Sequence, residues 1–277
     1  MSFIDAHAHL ADAKVSESEL QMWMQEAQAA GISQWILGGV GPEDWERQKL
    51  LYAKFPHAFR MSFGLHPWWV AEREDRECDE GVMLLEAELD SHWRAGGGQG
   101  LVALGEAGLD FHERFSEETY LRQERVFVRQ IQIARRLGLP LVLHVVQAHE
   151  RALQLLELEL DGVMTQGIVH SFSGSLPIAQ RYLKLGLVPS ISAAVITRDS
   201  GKAFEMLSRT LLSLAPNEFV LETDAPDQPP VDQKGLKNRP VNLRRVAKRV
   251  AELRGETEET VLERSTARLK TIFGLEN

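Results

Sequence analysis

Leu101-Val102-Ala103-Leu104-Gly105-Glu106 runs into Ala107-Gly108-Leu109-Asp110, a helical stretch follows from Ser116 to Leu137, and Leu141-Val142-Leu143-His144 comes next. The two flanking runs are short and apolar, as strands are when both their faces are covered. The long middle run is amphipathic, and Gly138 and Pro140 stop it. Strand, helix, strand is the unit of a parallel α/β fold, and the rest of the chain repeats it.

Toward the N-terminus, Phe3-Ile4-Asp5-Ala6-His7-Ala8-His9-Leu10 reads as a first strand. A helix follows over Ser16–Ala30, opened by a capping box of Ser16 and Glu19 and carrying an apolar stripe of Leu20, Trp23, Met24 and Ala27. Strands are expected at Ser33–Val40 and Ala58–Leu65, with helices at Pro42–Phe55 and Val82–Trp93. Gly96-Gly97-Gly98-Gln99-Gly100 reads as a connector and lacks the Gly-Lys-Ser/Thr ending of a phosphate loop. Toward the C-terminus, strands are expected at Gly167–His170, Leu187–Ala194 and Phe219–Asp224. Helices are expected at Ala148–Leu160, Leu176–Leu185, Gly201–Leu214, Asn242–Leu253 and Glu258–Phe273, with a polar, Pro-rich loop over 227–240. Roughly eight repeats predict a (β/α)8 TIM barrel, with allowance for distortion and one extra helix at the C-terminus. The linkers mark no boundary, so residues 1–277 form a single domain. A doubly wound open sheet is the alternative.

The composition, 44% hydrophobic and 26% charged, is that of an ordinary globular protein. A net charge of -9 excludes a globally basic nucleic-acid-binding surface, so a polyanionic substrate must be met by local charge. Cys78, the single cysteine, excludes an intrachain disulfide and a cysteine zinc site. No apolar run has the length of a membrane span, and the N-terminus enters a strand without a basic leader, so the expected location is cytoplasmic.

The first strand carries His7 and His9 two residues apart, and strand alternation puts both on one face with Asp5. Buried polar groups without partners cost on the order of 2–7 kcal/mol each, so a shared cation is the economical explanation, with Asp5 orienting a ligand from behind. Further ionisable residues lie at or near strand ends: His66 after the third, Glu106 on the fourth, His144 on the fifth, His170 on the sixth and Asp224 on the eighth. Each alone has an ordinary explanation as a loop hydrogen-bonder or turn residue. In a barrel they converge on the C-terminal mouth, where active sites lie. Four histidines and two carboxylates exceed one tetrahedral ion and suit two divalent cations sharing a carboxylate. The absence of thiolate favours zinc, manganese or another first-row ion over an all-oxygen magnesium site.

The same residues give the chain its family resemblance. The opening Phe3–Leu10 stretch, Gly64-Leu65-His66-Pro67, Gly105-Glu106-Ala107-Gly108-Leu109-Asp110, His170-Ser171-Phe172-Ser173-Gly174 and Leu221-Glu222-Thr223-Asp224-Ala225-Pro226 come in an order that resembles the TatD-like metal-dependent hydrolases, deoxyribonucleases within the amidohydrolase-type barrels. The resemblance covers essentially the whole chain. It implies one metal on His7, His9, Glu106 and Asp224, and a second on Glu106, His144 and His170. It also implies a nuclease acting on single-stranded DNA or DNA 3′ ends as a 3′–5′ exodeoxyribonuclease, with two divalent ions drawn from Zn, Mn, Mg or Co. Two positions depart from the family pattern. His144-Val145-Val146 lacks the usual Ser-Arg, and Lys237-Asn238-Arg239-Pro240 replaces Arg-Asn-Glu-Pro.

These readings assign Asp224 to orient a water and accept its proton. His66 is expected to hydrogen-bond a phosphate oxygen, and Arg239 to supply the missing charge. Trp68 and Trp69, read as lying on the same loop, either stack on bases or pack on the barrel rim, the latter being the stronger expectation. Arg244-Arg245 with Lys248-Arg249 reads as a solvated helix face. The enzymatic alternative is an amidohydrolase acting on a small cyclic amide, ester or lactone. A metal-binding protein without turnover is the third reading. No membrane and no obligate protein partner are implied.

Overall fold

A computed structural model describes residues 2–94 and 100–275. Residues 96–99 of the Gly-rich connector lie outside them. Eight strands pair in parallel and in strict chain order. They are β1 (Phe3–Ala8), β2 (Ile32–Leu37), β3 (Phe59–Phe63), β4 (Leu101–Asp110), β5 (Leu141–Val146), β6 (Gly167–Val169), β7 (Leu187–Ile191) and β8 (Val220–Leu221). The helices are α1 (Glu17–Ala29), α2 (Pro42–Lys54), α3 (Pro67–Ala71), α4 (Asp75–Arg94), α5 (Glu117–Leu137), α6 (His149–Leu160), α7 (Leu176–Lys184), α8 (Ala193–Ile196), α9 (Lys202–Ser213), α10 (Leu243–Arg254) and α11 (Glu258–Phe273). Sequential order excludes the doubly wound sheet, whose strand order reverses at a switch point.

The ring closes between β8 and β1. The Asp224 amide donates to the His7 carbonyl at 3.0 Å and the His9 amide to the Ala225 carbonyl at 2.7 Å. Asp5 adds a side-chain stitch. Its Oδ1 accepts the Thr223 amide at 2.9 Å and its Oδ2 the Thr223 hydroxyl at 2.5 Å. Asp5 therefore does not stand with the histidines as the alternation predicted. It joins the seam of the barrel, and burial pushes its carboxyl up to about 8, against the hydrogen bonds from Thr223 and His7.

Ile4, Ala6, Ile36, Ala103, Val142, Ile168, Val188 and Val220 form one apolar cluster with Leu269, Ile272 and Phe273 of α11. Those strand residues fill the barrel interior, and the extra C-terminal helix plugs its floor. A second cluster lies between the strands and the outer helices and includes Ala8, Leu104 and Ala107. With Ala6 inward, simple alternation would turn His7 outward. The β1–β2 register shifts between Asp5 and Ala8, and His7 comes in. The β4–β5 register likewise shifts between Gly105 and Ala107, and Glu106 is the extra residue. Both irregularities fall at the level of the mouth.

Other boundaries differ from expectation. Trp68 and Trp69 lie on α3, not on a loop: Pro67 at its first turn suits a helix start. Trp69 is buried while Trp68 exposes 42% of its surface. α4 starts at Asp75, earlier than Val82, and buries Cys78, whose thiol burial pushes up to about 11. The basic run on α10 is largely paired: Arg244 with Glu258 and Glu259, Arg245 with Asp232, Arg249 with Glu252. No helix among the described residues is long and apolar enough to cross a membrane.

Replacing Thr223 by Val removes the hydroxyl that Asp5 accepts and leaves a buried oxygen short of a donor. We expect a loss of about 1–3 kcal/mol in unfolding free energy, read from urea denaturation of the metal-free protein.

Candidate metal centre

Seven side chains meet at the C-terminal mouth: His7, His9, His66, Glu106, His144, His170 and Asp224. All the residues expected as metal ligands are among them, and so is His66. Arg239 is held elsewhere. Its Nη1 donates to both carboxylate oxygens of Glu26 on α1, at 3.0 Å each, and it makes no hydrogen bond or ion pair with the seven.

The donor atoms fall into two groups that share Glu106. In the first, His7 Nε2 lies 3.3 Å from His9 Nε2, 3.5 Å from Glu106 Oε2 and 3.7 Å from Asp224 Oδ1. His9 Nε2 lies 3.2 Å from Glu106 Oε2 and 3.4 Å from Asp224 Oδ1. A tetrahedral zinc site with bonds of about 2.0–2.1 Å has ligand–ligand edges of about 3.3–3.4 Å, so these spacings fit one ion. In the second group, His170 Nε2 is 3.3 Å and His144 Nδ1 is 3.6 Å from Glu106 Oε1, and the two nitrogens are 3.2 Å apart. His66 Nε2 is 3.2 Å from His144 Nδ1 and 3.8 Å from Glu106 Oε1.

Hydrogen-bond partners on the far ring nitrogens separate the histidines by tautomer. His170 Nδ1 faces Glu222 Oε1 at 3.3 Å, and His144 Nε2 faces Asp110 Oδ2 at 3.4 Å. A carboxylate there holds the ring proton, so His170 Nε2 and His144 Nδ1 are the nitrogens that would turn lone pairs to a cation placed beside Glu106. His66 differs. Its Nδ1 accepts the Trp68 amide at 3.0 Å, which leaves the proton of the neutral ring on Nε2. Burial and the neighbouring His144 hold His66 well below its ordinary pKa, so the neutral form dominates. His66 is thus an N–H donor aimed into the site.

Both oxygens of Glu106 and Oδ1 of Asp224 are buried with no hydrogen-bond partner among the described residues. Such orphaned carboxylate oxygens, facing imidazole nitrogens, fit a cation. Burial alone would raise the Glu106 carboxyl, but charge on His7, His9 and His170 holds it well below the usual range. His170 is raised to about 9: burial lowers it, and Glu106, Asp224 and Glu222 together outweigh that. Asp224 has a φ of 60°. Its Oδ2 accepts Gln228 Nε2 at 2.6 Å, which fixes Oδ1 toward His7 and His9. Gly38 borders the first group, where a Cβ would lie 2.5 Å from His7 Cε1 and 2.7 Å from His9 Cε1. A side chain there would displace both rings.

The sequence reading missed Asp110, Glu222 and Gln228. The first two stand inside quoted motifs, as carboxylates at strand ends, and that signal could have found them. Nothing in the sequence points to Gln228.

Residues 4–274 match the model of a family described as TatD related DNase. A curated relative from Escherichia fergusonii, the 3′-5′ ssDNA/RNA exonuclease TatD, is 31% identical over 89% of this chain and 90% of its own length. The uncharacterized metal-dependent hydrolase YjjV of Escherichia coli is 27% identical over 99% of this chain and 98% of its own. The crystal structure of that TatD homolog superposes with a TM-score of 0.85 at 29% identity, covering 99% of this chain and 98% of that one.

Glu222 holds the His170 ring through Nδ1 and also accepts the Ser171 amide at 2.6 Å. We expect Glu222→Ala to weaken divalent-ion binding by about 10–100-fold. Competition with a chromophoric chelator measures it, with circular dichroism confirming the fold.

Proposed function

Since the chain belongs to the TatD-related DNase family of metal-dependent hydrolases, we propose that it removes nucleotides from the 3′ end of single-stranded DNA, using two divalent ions. One observation carries the reading: two groups of nitrogen and oxygen donors share the two oxygens of Glu106 at the open end of the barrel. In this reading His7, His9, Glu106 and Asp224 would hold one ion, and Glu106, His144 and His170 would hold the other. Zinc, manganese, cobalt or magnesium can serve, and the imidazole-rich set favours the first-row metals. When bound, such a pair supplies a water that is activated near neutral pH and polarises a phosphoryl oxygen.

The chain's own groups do the rest. Asp224 is held at Oδ2 by Gln228 and keeps its carboxyl lowered, since charge on His170, His9 and His7 outweighs burial. It is therefore ionised at neutral pH and can orient the attacking water and take up its proton. His66, with its proton on Nε2, donates to a phosphoryl oxygen across the second group. Asp110 and Glu222 fix the rings of His144 and His170, so the donors need little reorganisation as charge builds up.

The test is digestion of a 5′-labelled single-stranded DNA with Mg, Mn, Co or Zn, beside Asp224→Asn. A stepwise ladder from the 3′ end is expected. Asp224→Asn should lower the rate by about 10²–10⁴-fold, the range of a lost acid–base group. No cleavage by a preparation shown to carry two ions would overturn the nuclease reading and direct attention to cyclic amides and lactones.

A further inference from the structure

Beside the second donor group a flat cationic plate stands half-exposed. Trp68 lies at the first turn of α3, and its ring meets His66 edge-on with centroids 5.0 Å apart. The same ring meets His144 at 6.0 Å. Arg114, on the loop between β4 and α5, lays its guanidinium over the indole with Cζ 3.9 Å from the ring centroid, and Phe115 flanks it at 4.6 Å. Asp110 ties the plate to the site. Its Oδ2 accepts the Trp68 indole N–H at 2.5 Å and Arg114 Nη2 at 3.2 Å, and it faces His144 Nε2 at 3.4 Å. One carboxylate oxygen thus sets the distance between the guanidinium and the His144 ring.

Arg114 has donors to spare. Its Nε and Nη1 make no hydrogen bond or ion pair among the described residues, and its side chain is 44% exposed. The other cations named near the late loop are committed. Arg239 is gripped by Glu26, and Lys237 donates to Glu19 and to the Lys14 carbonyl. No arginine directly follows His144, and the geometry supplies one from the loop after β4. A planar fork with an open edge, held against an aromatic ring, is the group that best matches a phosphate.

We propose that Arg114 is a specificity-determining residue that grips the phosphate next to the one being hydrolysed, with Trp68 and Asp110 holding its guanidinium in place. This rests on the nuclease reading above. It makes the substrate a strand carrying consecutive phosphates, distinct from an isolated diester.

The experiment compares wild type, Arg114→Ala and Arg114→Lys, each loaded with the same metal, on a single-stranded DNA and on bis(p-nitrophenyl) phosphate across a salt series. Arg114→Ala is expected to raise KM for the DNA about tenfold with a much smaller change in kcat, and to reduce the salt slope of kcat/KM by about one. The loss on the small diester, which has no neighbouring phosphate, should be at least about fivefold less. Arg114→Lys should keep the salt slope and lose part of the affinity, because an ammonium is a point charge. Arg114→Gln carries the same test if the alanine variant does not fold.

A fall in kcat of equal size on both substrates, with an unchanged salt slope and less bound metal, would mean that Arg114 only braces Asp110 and His144, and would overturn the proposal. So would Arg114→Ala digesting DNA as wild type does, in which case the nuclease reading stands. Wild type that hydrolyses the small diester but no oligonucleotide sinks the nuclease reading, and this assignment with it.

Discussion

The Glu106 carboxylate is the constraint to which the mouth of the barrel is built. It is fully buried, neither oxygen has a hydrogen-bond donor among the described residues, and imidazole nitrogens surround it at 3.2–3.8 Å. An ionised group in such a place costs several kcal/mol unless opposite charge stands beside it. His9 and His170, whose pKa values are raised, supply that charge by protonation, and a divalent cation would supply it better, since its charge does not depend on pH. The carboxyl stays ionised because these neighbours outweigh burial. A neutral glutamic acid here would offer one acceptor and one donor to nitrogens that need two acceptors.

Placing that carboxylate required breaking the regularity of two strands. β4 runs unbroken to Asp110, yet its pairing with β5 slips at Glu106, and the amide freed by the slip donates to the Gly39 carbonyl at 2.7 Å. The backbone just after β2 comes that close only because Gly39 has no side chain: a Cβ would meet the Ser62 and Gly105 carbonyls at 2.3 and 2.4 Å. β1 slips at the same level to admit His7, and Asp5 binds the seam to β8 just below. The two slips that seat Glu106 and His7 thus lie at the mouth, above the apolar cluster closed by α11. Stability and function are separated by height along the barrel axis.

The sequence revealed the layer but not its geometry. Histidines and carboxylates at successive strand ends are legible because parallel strands in a closed barrel bring their C-terminal ends together, whatever the loops do. His7, His9, His144 and His170 were readable on that ground. Period-two alternation could not reveal the slips: it grouped Asp5 with His7 and His9, whereas hydrogen bonds from Thr223, 218 positions away, claim Asp5. The tautomer that separates His66 from His144 and His170 depends on a backbone amide in one case and on Asp110 and Glu222 in the others, and none of these partnerships is a matter of spacing. Arg239 looked available because its partner, Glu26, lies on a helix 213 residues away in sequence.

Charge is distributed on the same principle. A chain of net charge -9 repels a polyanion at long range, and most basic side chains named here are bound to carboxylates of neighbouring helices. Attraction must therefore arise where the acidic surface gives way, at the mouth. There, a cation held by Glu106 and Asp224 would add its charge to that of the open guanidinium edge on Trp68. A field this local cannot hold a duplex along its length. On the proposed reading it suits one chain end whose last phosphates fall between the two positive sites.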